Sequence, residues 1–259
     1  MSSQRPYVIS IAGFDPTAGA GVLSDLKCFE ALGVYGFGIC SALTVQTDSE
    51  FLKNDWLDAG QIIDQFQPLM KKFPVGLAKI GLIKDLDTLE EVCLILKSMN
   101  PEVKIVVDPI LKASAGYKFH EWNLAPEKLN KVLKQLYLIT PNFQEMESLA
   151  GAQESDESGR PDVHQLCRSW SETCAVLLKG GHNPDAPGTD YLYRKKGQLE
   201  LKPGVSEIFQ KHGSGCVLSA AITAALARGN SLEESCLQGK KYIEHFLNSN
   251  TSLLGYHSS

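Results

Sequence analysis

His212-Gly213-Ser214-Gly215-Cys216 runs directly into the apolar stretch Val217-Leu218-Ser219-Ala220-Ala221-Ile222. This sets two glycines and a small hydroxyl residue at the start of a helix. Backbone N–H groups there have no intrahelical partner, and the helix dipole is positive. Such a turn can hold an anion. It also carries a thiol, and a helix N-terminus lowers a thiol's pKa. An anion cradle and an ionisable sulfur in one turn suggest phosphoryl transfer to a hydroxyl. Gly-Ser-Gly also begins many helices for structural reasons alone, so the rest of the chain must carry the choice.

The elements that would position this turn alternate from end to end. Strand-like apolar runs are expected at 7–12, 37–45, 77–80, 104–107, 138–140 and 174–178, with a hairpin over 190–202 turning near Lys196-Gly197. Helical spacing is expected over 19–32, 56–73, 86–99, 127–136, 143–149, 163–170, 214–227 and 232–247. Strand–helix alternation implies an α/β fold, with a mostly parallel central sheet between helices on both faces. The polar stretch 153–161 is the most linker-like, but it is short, so residues 1–259 read as a single domain.

Composition narrows the function classes. The chain has 259 residues, enough for a substantial core. Its 25 basic and 30 acidic residues are well mixed and give a net charge of −5, which argues against a nucleic-acid or anionic-membrane surface. The seven cysteines are scattered, with no Cys-x-x-Cys pair and no zinc spacing. Reduced thiols fit a cytoplasmic protein. The first residues lack a signal-peptide apolar core, and no run of about 18 apolar residues spans a membrane.

Ligands of open α/β sheets bind beyond the carboxyl ends of the strands. The first strand ends in Gly13-Phe14-Asp15-Pro16-Thr17-Ala18-Gly19-Ala20-Gly21, whose glycines allow tight turning and close approach to a ligand. It lacks the Gly-Lys-Ser/Thr of a Walker A loop. The second ends at Thr44-Val45-Gln46, where an amide can donate and accept at once, as a heteroaromatic ring edge requires. Lys79-Ile80-Gly81, Asp108-Pro109, Pro141-Asn142-Phe143-Gln144-Glu145 and Lys179-Gly180-Gly181-His182 end the next strands. Asp-Pro and Pro-Asn also mark ordinary turns, and Asn142 could simply cap the following helix.

In order and wording, these segments resemble the ribokinase superfamily, and within it the hydroxymethylpyrimidine/phosphomethylpyrimidine kinases. The matching stretches include Ile11-Ala12-Gly13, Asp15-Pro16, Gly19-Ala20-Gly21, Asp25-Leu26-Lys27, Ser41-Ala42-Leu43-Thr44-Val45-Gln46, Val106-Val107-Asp108-Pro109 and His212–Cys216. They span residues 7 to about 245. The resemblance implies a three-layer ribokinase-like fold and ATP- and Mg²⁺-dependent phosphorylation of a hydroxymethyl group on 4-amino-5-hydroxymethyl-2-methylpyrimidine and its monophosphate. Pyridoxal or pyridoxamine phosphorylation is the alternative. It assigns Gly213, Ser214 and Gly215 to the anion hole, with Gly213 and Gly215 also touching ATP, and puts Cys216 where sugar kinases carry an aspartate base. Cys216 could instead only pack against the substrate. Asn142, Lys179 and Gly181 would bind ATP, and Asp108 and Glu145 would hold the metal. Gln46 would bond the pyrimidine, with Ala20, Asp25, Leu82 and Ile110 shaping its pocket, although Asp25 could instead fix the first loop. A homodimer is implied by the resemblance alone.

The chain departs from the family pattern at several points. Phe14 is bulky enough to narrow the approach, Leu82 stands where methionine is frequent, and Ser214 replaces threonine. Residues 110–117 are expected to form a mobile lid. A monophosphate acceptor would need a cation near Lys112 or Lys211.

Overall fold

The computed structural model describes residues 4–111, 119, 126–150, 162–183 and 186–258. Among them, β1 (Tyr7–Phe14), β2 (Tyr35–Gln46), β3 (Phe51–Trp56), β4 (Leu77–Ile80), β5 (Lys104–Val107), β6 (Leu138–Ile139), β7 (Ala175–Leu178), β8 (Asp190–Arg194) and β9 (Gly197–Leu201) form one sheet. Its order is β3-β2-β1-β4-β5-β6-β7-β8-β9. The pairings from β2 through β7 are parallel, and β3, β8 and β9 add antiparallel at the edges.

Period-two alternation gives each inner strand two buried faces. Ile9, Ala78, Ile105, Val107 and Val176 point into a core with α2 (Ala59–Lys72), α3 (Leu86–Met99), α4 (Pro126–Leu133), α5 (Phe143–Ala150) and α6 (Val163–Ser171). Val8, Leu77, Val106 and Leu177 point the other way, into a core with α1 (Gly21–Ala31), α7 (Ser214–Ala227) and α8 (Leu232–Leu247). The three-layer α/β expectation is met. Helix α7 is buried all round because it lies between the sheet and α8.

Two elements differ from expectation. Residues 56–58 are not helical: Trp56 closes β3, and α2 starts after Asp58, whose carboxylate takes the Gln61 N–H while the Gln61 side chain takes the Asp58 N–H. Strand β3 has no counterpart in the pattern reading. Phe51-Leu52-Lys53-Asn54-Asp55-Trp56 pairs only with β2 and is half in solvent, so no apolar alternation is required of it. The stretch 153–161 and residues 112–117 of the expected lid lie outside the described residues.

Candidate active site

The carboxyl ends of the parallel strands and the N-terminus of α7 open into one cavity of about 1460 Å³. Gly13, Ala20, Gln46, Leu82 and Ile110 line one part of it. Asn142, Glu145, Lys179, Gly181 and Asp108 line another, and Gly213, Ser214, Gly215 and Cys216 lie on the same wall. Thirteen of the fourteen residues singled out from the sequence meet here. The exception is Asp25, which does not line the cavity.

The α7 turn depends on its glycines. Gly213, the N-cap, has φ +74°, and a Cβ there would lie 2.2 Å from the Gly19 carbonyl oxygen and 2.8 Å from the Ala20 Cα. The α7 turn and the first loop are thus in backbone contact. A Cβ on Gly215 would lie 3.3 Å from Lys179 Nζ and 3.6 Å from Asp108 Oδ2, so this glycine leaves room for an ion pair. Lys179 donates to Asp108 at 2.6 Å and stands 3.6 Å from Glu145. Burial works against its charge, but the two carboxylates outweigh that and hold the ammonium protonated.

Asn142 and Glu145 cap α5 reciprocally: the Glu145 N–H donates to Asn142 Oδ1 at 2.8 Å, and the Asn142 N–H to Glu145 Oε2 at 2.7 Å. The capping role and the place on the cavity wall coexist. Burial pushes the Glu145 carboxyl up to about 7, against the pull of Lys179. Asp108 also receives the Thr140 hydroxyl at 3.2 Å.

Cys216 is buried, and the Gly21 N–H at the start of α1 favours its ionised form. It therefore lies at two helix N-termini. The lowered thiol pKa expected from sequence is nevertheless reversed. Burial pushes the thiol up to about 11, Lys79 opposes this, and Asp25 and Asp108 reinforce it. Without a ligand, Cys216 is a neutral thiol at pH 7.

At the opposite part, Gln46 Nε2 donates to Thr44 Oγ1 at 3.0 Å, and Thr44 in turn donates to the Phe14 carbonyl at 2.8 Å. Phe14 does not line the cavity, although its neighbours Gly13 and Asp15 do. Leu82 is fixed through its carbonyl, which accepts the Ser41 hydroxyl. Asp25 is fully buried and binds Lys79 Nζ on β4 at 2.8 and 3.0 Å and the Ser10 hydroxyl on β1, so these bonds serve neither of its expected roles, the pocket wall or the first loop. Lys211 lines the cavity, but its ammonium donates to the Asn250 carbonyl at 2.6 Å. Lys112 lies outside the described residues.

Sequence reasoning missed three supports. Asp15 accepts from the Thr17 and Ala20 N–H groups, each at 2.9 Å, and lies 2.8 Å from His212 Nε2, tying the first loop to the residue before Gly213. Burial alone would raise this carboxyl, but the bonds from His212 and Thr17 hold it below its usual value. The signal was an Asp followed by Pro-Thr-Ala-Gly, the composition of a side-chain-closed turn. Lys240 donates to Asp190 at 2.8 Å, and Asp190 accepts the Gly180 N–H at 2.7 Å, fixing the 3₁₀ turn Gly180–His182. The residues after α8 fold back, and the Leu253 carbonyl takes the His212 N–H at 2.9 Å.

A family model described as phosphomethylpyrimidine kinase matches residues 15–259. A hydroxymethylpyrimidine/phosphomethylpyrimidine kinase of Staphylococcus aureus is 31% identical over 241 residues, covering 91% of this chain and 85% of that one. The crystal structure of phosphomethylpyrimidine kinase from Clostridium difficile superposes with a TM-score of 0.72 at 30% identity, covering 92% of this chain and 98% of that one. The pyridoxal kinase from Staphylococcus aureus in complex with AMP-PCP and pyridoxal has a TM-score of 0.77 at 21% identity, over 95% of this chain and 89% of that one, a likeness of fold.

Proposed function

The chain belongs to the phosphomethylpyrimidine kinase family, and from that premise we propose that it moves the γ-phosphoryl group of ATP onto the hydroxymethyl group of 4-amino-5-hydroxymethyl-2-methylpyrimidine and of its monophosphate, in thiamine biosynthesis. Membership makes it a kinase, a phosphotransferase acting on a hydroxymethyl group. The observation that carries the finer reading is that Gln46, Leu82 and Ile110 line the same cavity as Cys216, the α7 N-terminus and Lys179.

In this reading, the N–H groups opening α7 hold the transferring phosphoryl group and Lys179 neutralises charge on it. Catalysis of such transfers is mostly positioning and electrostatics. Gln46 orients the ring by donating and accepting on its edge, so the hydroxymethyl oxygen lies beside the Cys216 sulfur. The Cys216 thiol must first give its proton to solvent; the thiolate then takes the hydroxyl proton as the oxygen bonds to the γ-phosphorus and the bond from that phosphorus to the ADP oxygen breaks. A general base contributes about 10²–10⁴-fold. Asn142 and Gly181 line the way to the phosphates.

Magnesium fits the donors present. Asp108 and Glu145 are hard oxygen ligands flanking Lys179, and no cluster of three or more metal-ligating side chains occurs among the described residues. Mg²⁺ is commonly held by one or two carboxylates together with phosphates and waters, so these two would hold it. When bound, the ion neutralises phosphate charge. A cation beside Glu145 would favour its ionised form, which burial opposes.

A homodimer in the cytoplasm belongs to the same proposal. Leu43, Val45 and Leu52 stand exposed on β2 and β3, an apolar area that a second copy would cover. All seven cysteines are free thiols, and no described helix is long and apolar enough to cross a membrane.

The test is turnover with ATP and magnesium across hydroxymethylpyrimidine, its monophosphate, pyridoxal and pyridoxamine. The pyrimidines should exceed the pyridines in kcat/KM by at least about tenfold, the size of difference that a pocket contact supplies. A preference for pyridoxal would overturn the assignment.

A further inference from the structure

Helix α8 walls a part of the cavity not yet assigned, through Lys240, Ile243, Glu244 and Leu247. Lys240 is buried. Its ammonium donates to the Gly188 carbonyl at 2.6 Å as well as to Asp190 Oδ2 at 2.8 Å. Those two residues are the ones that grip Gly180. The Gly188 N–H donates to the Gly180 carbonyl at 2.9 Å, and the Gly180 N–H donates to Asp190 Oδ1 at 2.7 Å. Lys240 thus closes a ring of four hydrogen bonds that passes through both polar groups of Gly180. The glycine is packed as tightly as it is bonded, since a Cβ there would lie 1.8 Å from the Thr189 carbonyl oxygen. Gly181 is the opposite case. It lies exposed on the cavity wall, and a Cβ there would meet nothing within 4 Å. The 3₁₀ turn is therefore fixed from behind and bare toward the cavity.

The same helix holds a second wall segment. Glu244, one turn beyond Lys240 and 4.0 Å from its ammonium, accepts the Gly204 N–H at 2.9 Å. Asn248 donates to the Glu207 carbonyl at 3.1 Å. These tethers flank Val205, and Ile208 follows directly, both of them on the cavity wall. Lys240 and Glu244 stand where the holds on the two segments meet. A buried ammonium is costly, and an apolar side chain often serves a helix–sheet contact as well or better. What methyl groups cannot supply is a pair of directed bonds that sets where Gly188 and Asp190 stand, and through them Gly180.

We infer that Lys240 is a positioning residue for the nucleotide: through Gly188 and Asp190 it holds the Gly180-Gly181 backbone in place against the phosphates of ATP. The inference rests on the reading of Gly181 as part of the nucleotide wall. Lys240 itself spends its hydrogen bonds on the protein, so its effect on ATP passes through the turn. The acceptor part of the cavity, at Gln46, Leu82 and Ile110, shares none of these bonds.

The experiment measures the Kd of ADP with magnesium by calorimetry, and the steady-state KM for ATP and for hydroxymethylpyrimidine, in the parent chain and in Lys240→Met. Methionine keeps most of the stem's volume and donates nothing. The variant should bind ADP about tenfold more weakly and show a matching rise in KM for ATP, the change that one hydrogen bond to a charged group represents. Its KM for the pyrimidine should stay within about twofold of the parent value. A merely structural role would lower Tm without separating the two KM values. A folded Lys240→Met chain that binds ADP within about twofold of the parent, or whose two KM values rise together, overturns the inference. If that variant does not fold, Asp190→Asn decides, because it keeps an acceptor for the Gly180 N–H and removes the charge that holds Lys240. Unchanged ADP binding in that chain overturns the inference, and weaker binding with an unchanged KM for the pyrimidine supports it. The ADP comparison decides the inference whichever heterocycle the enzyme accepts. A parent chain that binds no ADP overturns the nucleotide wall and the inference together.

Discussion

Replacing Gly213 with alanine tests the contact that joins the N-terminus of α7 to the first loop. The residue sits at φ +74°, a conformation that costs an L side chain on the order of 1–2 kcal/mol. The larger effect is displacement. A Cβ 2.2 Å from the Gly19 carbonyl oxygen must retreat by more than about 1 Å to reach ordinary contact, which separates α7 from the Gly19-Ala20 backbone. Misplacement of reacting groups by about 1 Å can cost on the order of 10²-fold in rate. Gly213→Ala should therefore lower kcat about 10²-fold and Tm by roughly 2–8 °C for a chain of this size. Gly33→Ala separates the two effects. Its φ is +73°, but a Cβ there would meet nothing within 4 Å, so it carries the strain without the displacement. That variant should lose a few degrees of Tm and keep its turnover. Steady-state kinetics and thermal melts on both decide. A Gly213→Ala enzyme that turns over within about threefold of the parent would refute the reasoning, because the two loops would then not need their close approach.

Two further outcomes follow from other contacts. Gln46→Ala should raise KM for the heterocycle by about tenfold or more and leave KM for ATP unchanged, because a lost paired hydrogen bond costs on the order of 1–2 kcal/mol. An equal rise for ATP would move Gln46 out of the acceptor pocket. His257 packs against Phe246 and bonds Tyr242, and burial and Lys27 lower its pKa to about 4. The folded value lies below the ordinary value of 6.5, so the neutral ring stabilises the fold fully above pH 6.5, and that contribution is lost as pH falls from 6.5 to 4. The ring is partly exposed, so the loss should be about 1–2 kcal/mol after allowance for solvent screening. Melts at pH 7 and 4.5 should show a smaller drop for His257→Asn than for the parent chain, and equal drops would assign the acid sensitivity elsewhere.

The sequence makes some elements legible and leaves others hidden, and physical causes separate the two. Helices α3, α7 and α8 fall where spacing puts them, at Leu86–Met99, Ser214–Ala227 and Leu232–Leu247. Each has a defined start: Asp85 and Ser231 bond back to the first turn, and Gly213 takes the left-handed N-cap. Inner strands such as Lys104–Val107 are legible because both faces are buried. Strand β3 is not, because it is an edge with one neighbour. The cavity residues are read largely through motifs and strand ends, since a ligand position at a sheet's carboxyl edge is a topological fact. What carries Asp25 away from the wall is its pairing with Lys79, 54 positions along the chain. Likewise, Asp15 and His212 are 197 positions apart. Spacing along a chain cannot announce a partner that distant, although a lysine in an otherwise apolar strand is a visible oddity.

The final turn of chain has a consequence for how the enzyme matures. The Leu253 carbonyl secures His212, and Leu254 packs where a side chain on Gly19 would otherwise go. The loop near residue 15 therefore waits for partners made more than 230 residues later. A growing polypeptide can collapse its central sheet early, domain by domain as synthesis proceeds. It gains a finished catalytic centre only when translation has passed residue 254.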